Sequence, residues 1–454
     1  MNSTSVEGFM EPSGGFSRAD SDVISSKKTS KKELTSDQAT ETLVAKKLTL
    51  LEGIAMIVGT NIGAGVLAIP YASRNSGFIP LFFWLIVIGI ITTITMLYVA
   101  ESSLRTRAHY QLSGLARKYV GKVGSWFIFI SIFANSTGAL IAYMAGSGRL
   151  MNELFGIPNQ IGSLLFAIPA IGILYGGLKA IGKGEKYISI TMISMILILS
   201  FATLFNVNTK IEHLMEGQWS YMIPIIYLVV FSYSAQYIVP EIARGFVHQP
   251  KLLPKAIVIG MLCTFLLLTT VALSIISLAG IDNVDEIATI TWGRYLGPWA
   301  ALTANLFALC AMLTSYWGLG GSYLTNIYDQ FKLGSETRKF RRAIVLAVIS
   351  IPPFILAYRE LVSFGRALEF AGAVGGVILA ILPILMLKRA RKIGDIVPDW
   401  QCNRWITSAP VQGMIIALYS FAALYAVCDL LYNTNLLPAS IEEILIGLNV
   451  FVPK

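Results

Sequence analysis

Charge is scarce in this 454-residue chain, with only 13% of residues Asp, Glu, Lys or Arg, about half the share usual in a soluble domain. A soluble globular fold is therefore excluded for the chain as a whole. Histidine is scarcer still: His109, His213 and His248 all fall between apolar runs. The four cysteines, Cys263, Cys310, Cys402 and Cys428, show neither metal-ligand spacing nor a paired framework, so no metal centre or disulfide scaffold is read from them. The apolar runs do not alternate, which excludes a β-barrel. No phosphate-cradling glycine loop is present to drive a nucleotide-powered pump. An enzyme is the weakest of the function classes, and no cofactor is expected.

What the chain does have is apolar length: 55% of residues are hydrophobic and the mean hydropathy is +0.66. A helix crosses a bilayer with about 20 such residues. Runs of that kind cover 48–73, 78–101, 123–149, 160–178, 187–205, 221–241, 255–280, 298–326, 341–358, 366–388 and 410–432, predicting an all-α integral membrane protein of about eleven transmembrane helices. Most of the 35 Lys and Arg fall on one side of this alternation, in clusters such as Arg105, Arg107, Arg117 and Lys118, "RKFRR" at 338–342 and "KRARK" at 388–392. Positive charge is retained on the cytoplasmic side, which places the amino terminus in the cytoplasm and the protein in the cell (inner) membrane. The net charge of +9 is then topogenic, and no nucleic-acid partner is implied. Residues 1–46, rich in Ser, Thr, Asp and Lys without apolar periodicity, read as a disordered cytoplasmic tail. The segment 436–452, with Glu442 and Glu443 at its middle, reads as interfacial.

The first run contains "GTNIGAGVLAIPYA", Gly59 to Ala72, with three glycines in seven residues and a proline behind them. Each interior glycine weakens a helix by about 1 kcal/mol, in a medium where freed backbone groups have no water to bond. Such a break is kept where the backbone is used. The sixth run, "YMIPIIYLVVFSYSAQYIVPEIARG", has a polar middle from Phe231 to Gln236 followed by Pro240. The two lie five runs apart in order, so a five-helix repeat puts them at equivalent positions in opposite orientation. Paired interrupted segments of this kind point to an inverted-repeat transporter with its site at the membrane midplane. The expected architecture is a 5+5 inverted repeat of the LeuT type, with helices 1 and 6 discontinuous. The first repeat covers 47–205 and the second 206–388. A cytoplasmic loop, helix 11 and a terminal segment cover 389–454. Helix-packing glycine is the competing explanation.

The segments "GTNIGAGVLAIP", "NSTGALIAYMAGSG", "FSYSAQYIVPEIARG", "LTSYWGLGGSYL" and "LEFAGAVGGVILAILPILM" carry a resemblance that covers roughly Leu48 to Tyr432. The chain resembles the hydroxy and aromatic amino acid permeases, the bacterial tyrosine and tryptophan transporters, within the amino acid, polyamine and organocation superfamily. That resemblance implies an amino acid symporter acting by alternating access, specific for aromatic or large neutral substrates. An amino acid sensor of the same fold, or a channel, is the alternative. It departs from the family at Tyr233 to Gln236, "YSAQ", where the bacterial members usually have Phe, Gly and His.

A zwitterion between broken helices needs no charged side chain. Amides around Ile62, Gly63, Ala64 and Gly65 are expected to face the carboxylate, with glycine giving close approach and an unusual φ. Carbonyls near Gly59 and Thr60, and around Phe231 and Ser232, are expected to accept from the ammonium. The substrate side chain falls to Asn135, Ser136 and Tyr143 of span three, Phe231, Tyr233 and Gln236 of span six and Tyr316 of span eight. For the coupling ion, proton or sodium, Thr314 and Ser315 resemble the hydroxyl pair that completes a cation site with span-one carbonyls, here those of Gly59 and Ile62, in LeuT-type transporters. Their competing role is a bond back to their own helix. A proton route would use a carboxyl such as Glu52, Glu101, Glu241 or Glu369. The partners expected are an amino acid and the lipid bilayer, with the monomer as the working unit.

Overall fold

The computed structural model describes residues 48–108, 110–176, 185–333 and 338–433. The expected tail at 1–46 and the interfacial segment at 436–452 lie outside the described residues. The helices are α1 (Leu50–Asn61), α2 (Ala64–Ala72), α3 (Phe78–Leu104), α4 (Leu112–Val120), α5 (Lys122–Phe155), α6 (Asn159–Gly176), α7 (Glu185–Thr203), α8 (Ile225–Ser232) and α9 (Val239–Gly245). They continue with α10 (Leu252–Ala279), α11 (Ala288–Leu296), α12 (Pro298–Phe331), α13 (Lys339–Tyr358), α14 (Phe364–Phe370), α15 (Val377–Ile393) and α16 (Ala409–Asn433). Among the described residues there is no strand. Nine stretches of the described residues are long and apolar enough to cross a membrane, or ten if α1 and α2, bent by 50° at their junction, are one span. Within α7 only the shorter stretch Thr191–Thr203 is apolar in this sense. The chain is thus an all-helical, multi-pass integral membrane protein.

Both interrupted runs are interrupted. In the first, α1 ends at Asn61, Ile62 leaves helical geometry at φ −90°, ψ 69°, and α2 starts after Gly63. In the sixth, α8 ends at Ser232 and a 3₁₀ turn over Ala235–Ile238 leads into α9. The two prolines differ in place. Pro240 sits in the first turn of α9, where its missing N–H would have had no helical partner, whereas Pro70 lies well inside α2.

Two short helices that apolar run length does not reveal, α4 and α11, precede the two longest helices. Each is 9 residues, each is followed by one glycine, and each leads into 34 helical residues, α5 and α12. The joints match in angle, Gly121 at φ 91°, ψ −170° and Gly297 at φ 95°, ψ −176°. A positive φ of this size is accessible to glycine and strained for other residues, so each joint requires one. The far ends match too: Gly156 and Lys332 cap α5 and α12 in the left-handed region.

Packing sorts the helices into two groups. In one, α10 lies on α1, α2 and α3, while α8 lies on α2 and α3; in the other, α5, α6, α12 and α13 pack on one another. A third element, the α14–α15 span, bridges them through a π-helical stretch at Ala371–Gly376. Its small residues let it approach α8 closely: a Cβ on Gly372 would strike the Tyr227 carbonyl and one on Gly376 the Val230 side chain.

Glu101, near the end of α3, is fully buried. It accepts from Arg105 Nε at 2.8 Å, from Arg391 Nε and Nη2 at 2.8 Å each, and from the Cys402 backbone N–H at 2.8 Å. Arg391 also donates to the Cys402 carbonyl and to Thr407 Oγ1, so the carboxylate ties α3, α15 and the α15–α16 loop together. A buried carboxylate is tolerable when paired and bonded in this way.

Candidate functional site

The ends of α1, α2 and α8 meet at a small cavity of about 20 Å³, lined by Thr60, Asn61, Gly63, Ala64, Gly65, Asn135, Tyr143, Phe231, Ser234, Tyr237 and Leu319. That is room for a water and not for an amino acid. A larger cavity of about 270 Å³ lies at the ends of α3 and α9, beside Arg107, Arg244 and Asp399. It includes none of the break residues, so the smaller one is the site to reason from.

Local sequence explains why the break opens where it does. The first amides of α2 have no helical acceptor and the last carbonyls of α1 no helical donor, so opposite partial charges face each other across two residues. Gly63 has φ −116°, and neither it nor Gly65 has positive φ. The expectation of an unusual φ is therefore corrected. These glycines are required by proximity. A Cβ on Gly65 would lie 2.6 Å from Ser232 Oγ and 3.0 Å from Ser232 Cα, and one on Gly63 would lie 3.0 Å from Ser315 Oγ and 3.4 Å from the Tyr143 hydroxyl.

Of the residues singled out in the sequence, Thr60, Gly63, Ala64, Gly65, Asn135 and Phe231 share the cavity, together with Tyr143. Ile62 and Ser232 are buried beside it without lining it; the Ser232 hydroxyl donates to Leu228 O at 2.8 Å. Tyr233 and Gln236 face α3 instead. A Cβ on Gly89 would touch the Tyr233 ring at 3.2 Å, and Gln236 Nε2 reaches Thr95 Oγ1 at 3.5 Å. Tyr316 points toward α13 and α6, donating to Ser350 Oγ at 2.9 Å and packing edge-on against Phe166. Tyr233 and Gln236 follow the break, where the chain no longer keeps one helical face, and Tyr316 lies on a helix packed on several sides.

The ion candidates separate as well. Thr314 Oγ1 donates to Ala311 O of its own helix at 3.0 Å, while Ser315 is the side chain that meets Gly63. Gly59 is one turn below the break and does not line the cavity. Glu52 caps α1, accepting from Thr49 N at 2.8 Å, ten residues and so about 15 Å along the helix from Ile62. Glu101 is held by two arginines, and Glu241 is exposed.

Four lining residues were not singled out: Asn61, Ser234, Tyr237 and Leu319. Asn61 was visible as an amide within "GTNIGAG". Its Nδ2 donates weakly to Thr264 Oγ1 at 3.4 Å, and that hydroxyl in turn donates to Gly260 O at 2.9 Å. This chain of donors fixes the amide's direction and leaves Oδ1 without a partner among the described residues.

Broken spans converging on a buried polar cavity between packed helix groups are an arrangement suited to a membrane permease. The profile of the tryptophan/tyrosine permease family matches residues 46–421, and the chain belongs to that family. It is 24% identical over 388 residues to the tyrosine-specific transport system 1 of Haemophilus influenzae, covering 81% of this chain and 95% of that protein. It is 23% identical over 379 residues to a tryptophan-specific transport protein of the same organism, covering 76% and 89%. It is 21% identical over 360 residues to the glutamine transporter 2 of Aliivibrio fischeri, covering 75% and 89%.

Proposed function

We propose that the chain is a secondary active transporter that imports an aromatic or large neutral amino acid across the cell membrane by alternating access, driven by a proton or sodium gradient. The observation that carries this reading is the meeting of two broken helices at one buried cavity. Gly63 to Gly65 offer amides to the carboxylate, while the Thr60 carbonyl and Asn61 Oδ1 offer acceptors to the ammonium. The relatives named for tyrosine, tryptophan and glutamine transport support an amino acid as the cargo.

The 5+5 repeat is supported by the matched joints at Gly121 and Gly297, one within 47–205 and one within 206–388. Counting α1 with α2 as one span, and α7 as another, brings the total to eleven. The cytoplasmic amino terminus rests on the bias of Lys and Arg, and the protein works as a monomer. Alternating access is supported by the two helix groups, whose separation would open a cavity now too small for substrate. For the ion, the Gly59 and Ile62 carbonyls with Thr314 and Ser315 form the sodium candidate; the Thr314 hydroxyl donates to Ala311 O and keeps its oxygen lone pairs for a cation.

The test is uptake into proteoliposomes with sodium and pH gradients imposed separately, in wild type, Ser315→Ala and Glu52→Gln. Accumulation of an amino acid that collapses with an ionophore is expected. Sodium-driven accumulation lost in Ser315→Ala assigns sodium, and pH-driven accumulation indifferent to sodium assigns the proton. Equilibration without accumulation under either gradient would sink the symport reading.

A further inference from the structure

One polar atom in the cavity is left unused by the reading above. Asn135, midway along α5 and 3% exposed, lines the cavity, and its Nδ2 has no hydrogen-bond partner among the described residues. A buried amide in a membrane helix ordinarily bonds a neighbouring helix. Here that bond is missing, and a donor buried without a partner is unfavourable enough to need a reason.

The surroundings keep space at this amide. Across from it is Gly375 in the π-helical stretch; a Cβ there would stand 2.9 Å from Asn135 Cβ and 3.4 Å from Nδ2. Ser131, one turn before Asn135, donates to the Gly375 carbonyl at 2.6 Å, which holds that backbone in place. Tyr143, whose hydroxyl lies against Gly63, lines the same cavity, so Asn135 and the α2 amides face one small space. A ligand with its carboxylate at the α2 amides therefore brings its side chain within reach of Asn135, and Phe231 and Leu319 supply apolar wall beside it.

Building on the transport reading, we propose that Asn135 Nδ2 donates to the substrate side chain, and that the preferred substrates are amino acids whose side chain carries a hydrogen-bond acceptor, a phenol hydroxyl or a carboxamide. A hydrocarbon isostere leaves the amide unpaired in a dry site, and a site built around a polar contact discriminates strongly against the analogue that lacks it.

The experiment uses the full chain in proteoliposomes and compares uptake of radiolabelled L-tyrosine with L-phenylalanine, and of L-glutamine with L-norleucine, in wild type, Asn135→Leu and Asn135→Ser. Wild type should favour the polar member of at least one pair by tenfold or more. Asn135→Leu should bring that ratio close to one by improving the apolar member, and Asn135→Ser should fall between. The same ratios are read as ligand-induced thermal shifts in detergent, which covers a variant that binds without transporting. A wild type that takes up both members of each pair equally, or an Asn135→Leu variant that keeps the wild-type ratio, overturns the assignment while leaving amino acid transport standing. A wild type that takes up none of the standard amino acids removes the transport reading, and this inference with it.

Discussion

Replacing Gly65 by alanine puts one methyl group into the contact between the two broken spans. The added carbon would sit 2.6 Å from Ser232 Oγ, 3.0 Å from Ser232 Cα and 3.1 Å from Ser232 Cβ. Two of those three atoms move only with the backbone, and the third is anchored by its bond to Leu228 O at 2.8 Å. Overpacking of this kind costs about 2 kcal/mol, which corresponds to about a thirtyfold fall in the population of the state where α2 touches α8. Uptake should fall accordingly at matched protein levels, with the melting temperature in detergent also reduced. Ser232→Ala removes the nearest of the three atoms, so in the double variant about half of the loss should return. At Gly63 the same change meets mainly the Ser315 hydroxyl at 3.0 Å, the end of a side chain that can rotate. Gly63→Ala should therefore be mild, whereas Gly63→Val should abolish binding by filling the carboxylate's place. Wild-type uptake in Gly65→Ala, or an equal loss with and without Ser232→Ala, would refute the close-approach argument.

Further outcomes follow from the surrounding structure. Glu101→Ala strands two guanidinium groups and the Cys402 amide, so by the usual cost of breaking a buried ion pair it should destabilise the fold by about 3–5 kcal/mol; thermal melting of the purified protein measures this, and an unchanged transition would contradict the buried network. Gln236→Ala should alter expression or stability while leaving the rank order of tyrosine, tryptophan, phenylalanine and leucine in competition assays intact, because Gln236 faces α3; a reordered series would put it back in the site. Asp395, in the loop after α15, is held below the usual carboxylate range by the Lys118 ammonium and the Arg107 backbone N–H. Its contribution is therefore present above its ordinary value, about 3.9, and is lost as pH falls through the depressed one. The stability difference between wild type and Asp395→Asn should be constant from about pH 8 to pH 5 and vanish only in stronger acid; a difference that persists in strong acid would count against the ion pair.

Apolar run length made the membrane-crossing helices legible, and the glycines of "GTNIGAG" located the first break to within a residue or two. Both signals are local. The helices α4 and α11 escaped because nine amphipathic residues between apolar runs resemble an ordinary loop helix. Within the cavity, the residues beside the first break could be placed because the glycines mark the break in the sequence itself. Tyr233, Gln236 and Tyr316 could not, since the direction of a side chain after a 3₁₀ turn, or on a helix buried on several faces, is decided by neighbours distant in sequence. Asn61 shows the converse: its type and place were in plain view, but its unpaired oxygen depends on Thr264, 203 residues away.

The equal angles at Gly121 and Gly297 also bear on which parts of the chain bend during a transport cycle. If the chain has the proposed inverted repeat, its opposite-facing state is reached when the two halves exchange conformations. A joint with the same φ and ψ in both halves has nothing to exchange, so α4–α5 and α11–α12 should travel as stiff elbows through the whole cycle. The breaks are different: Ile62 sits at φ −90°, ψ 69° where α1 stops, while Tyr233 sits at φ −110°, ψ 11° where α8 stops. On the proposed inverted repeat, motion should therefore concentrate at Ile62 and Tyr233, where the two halves differ.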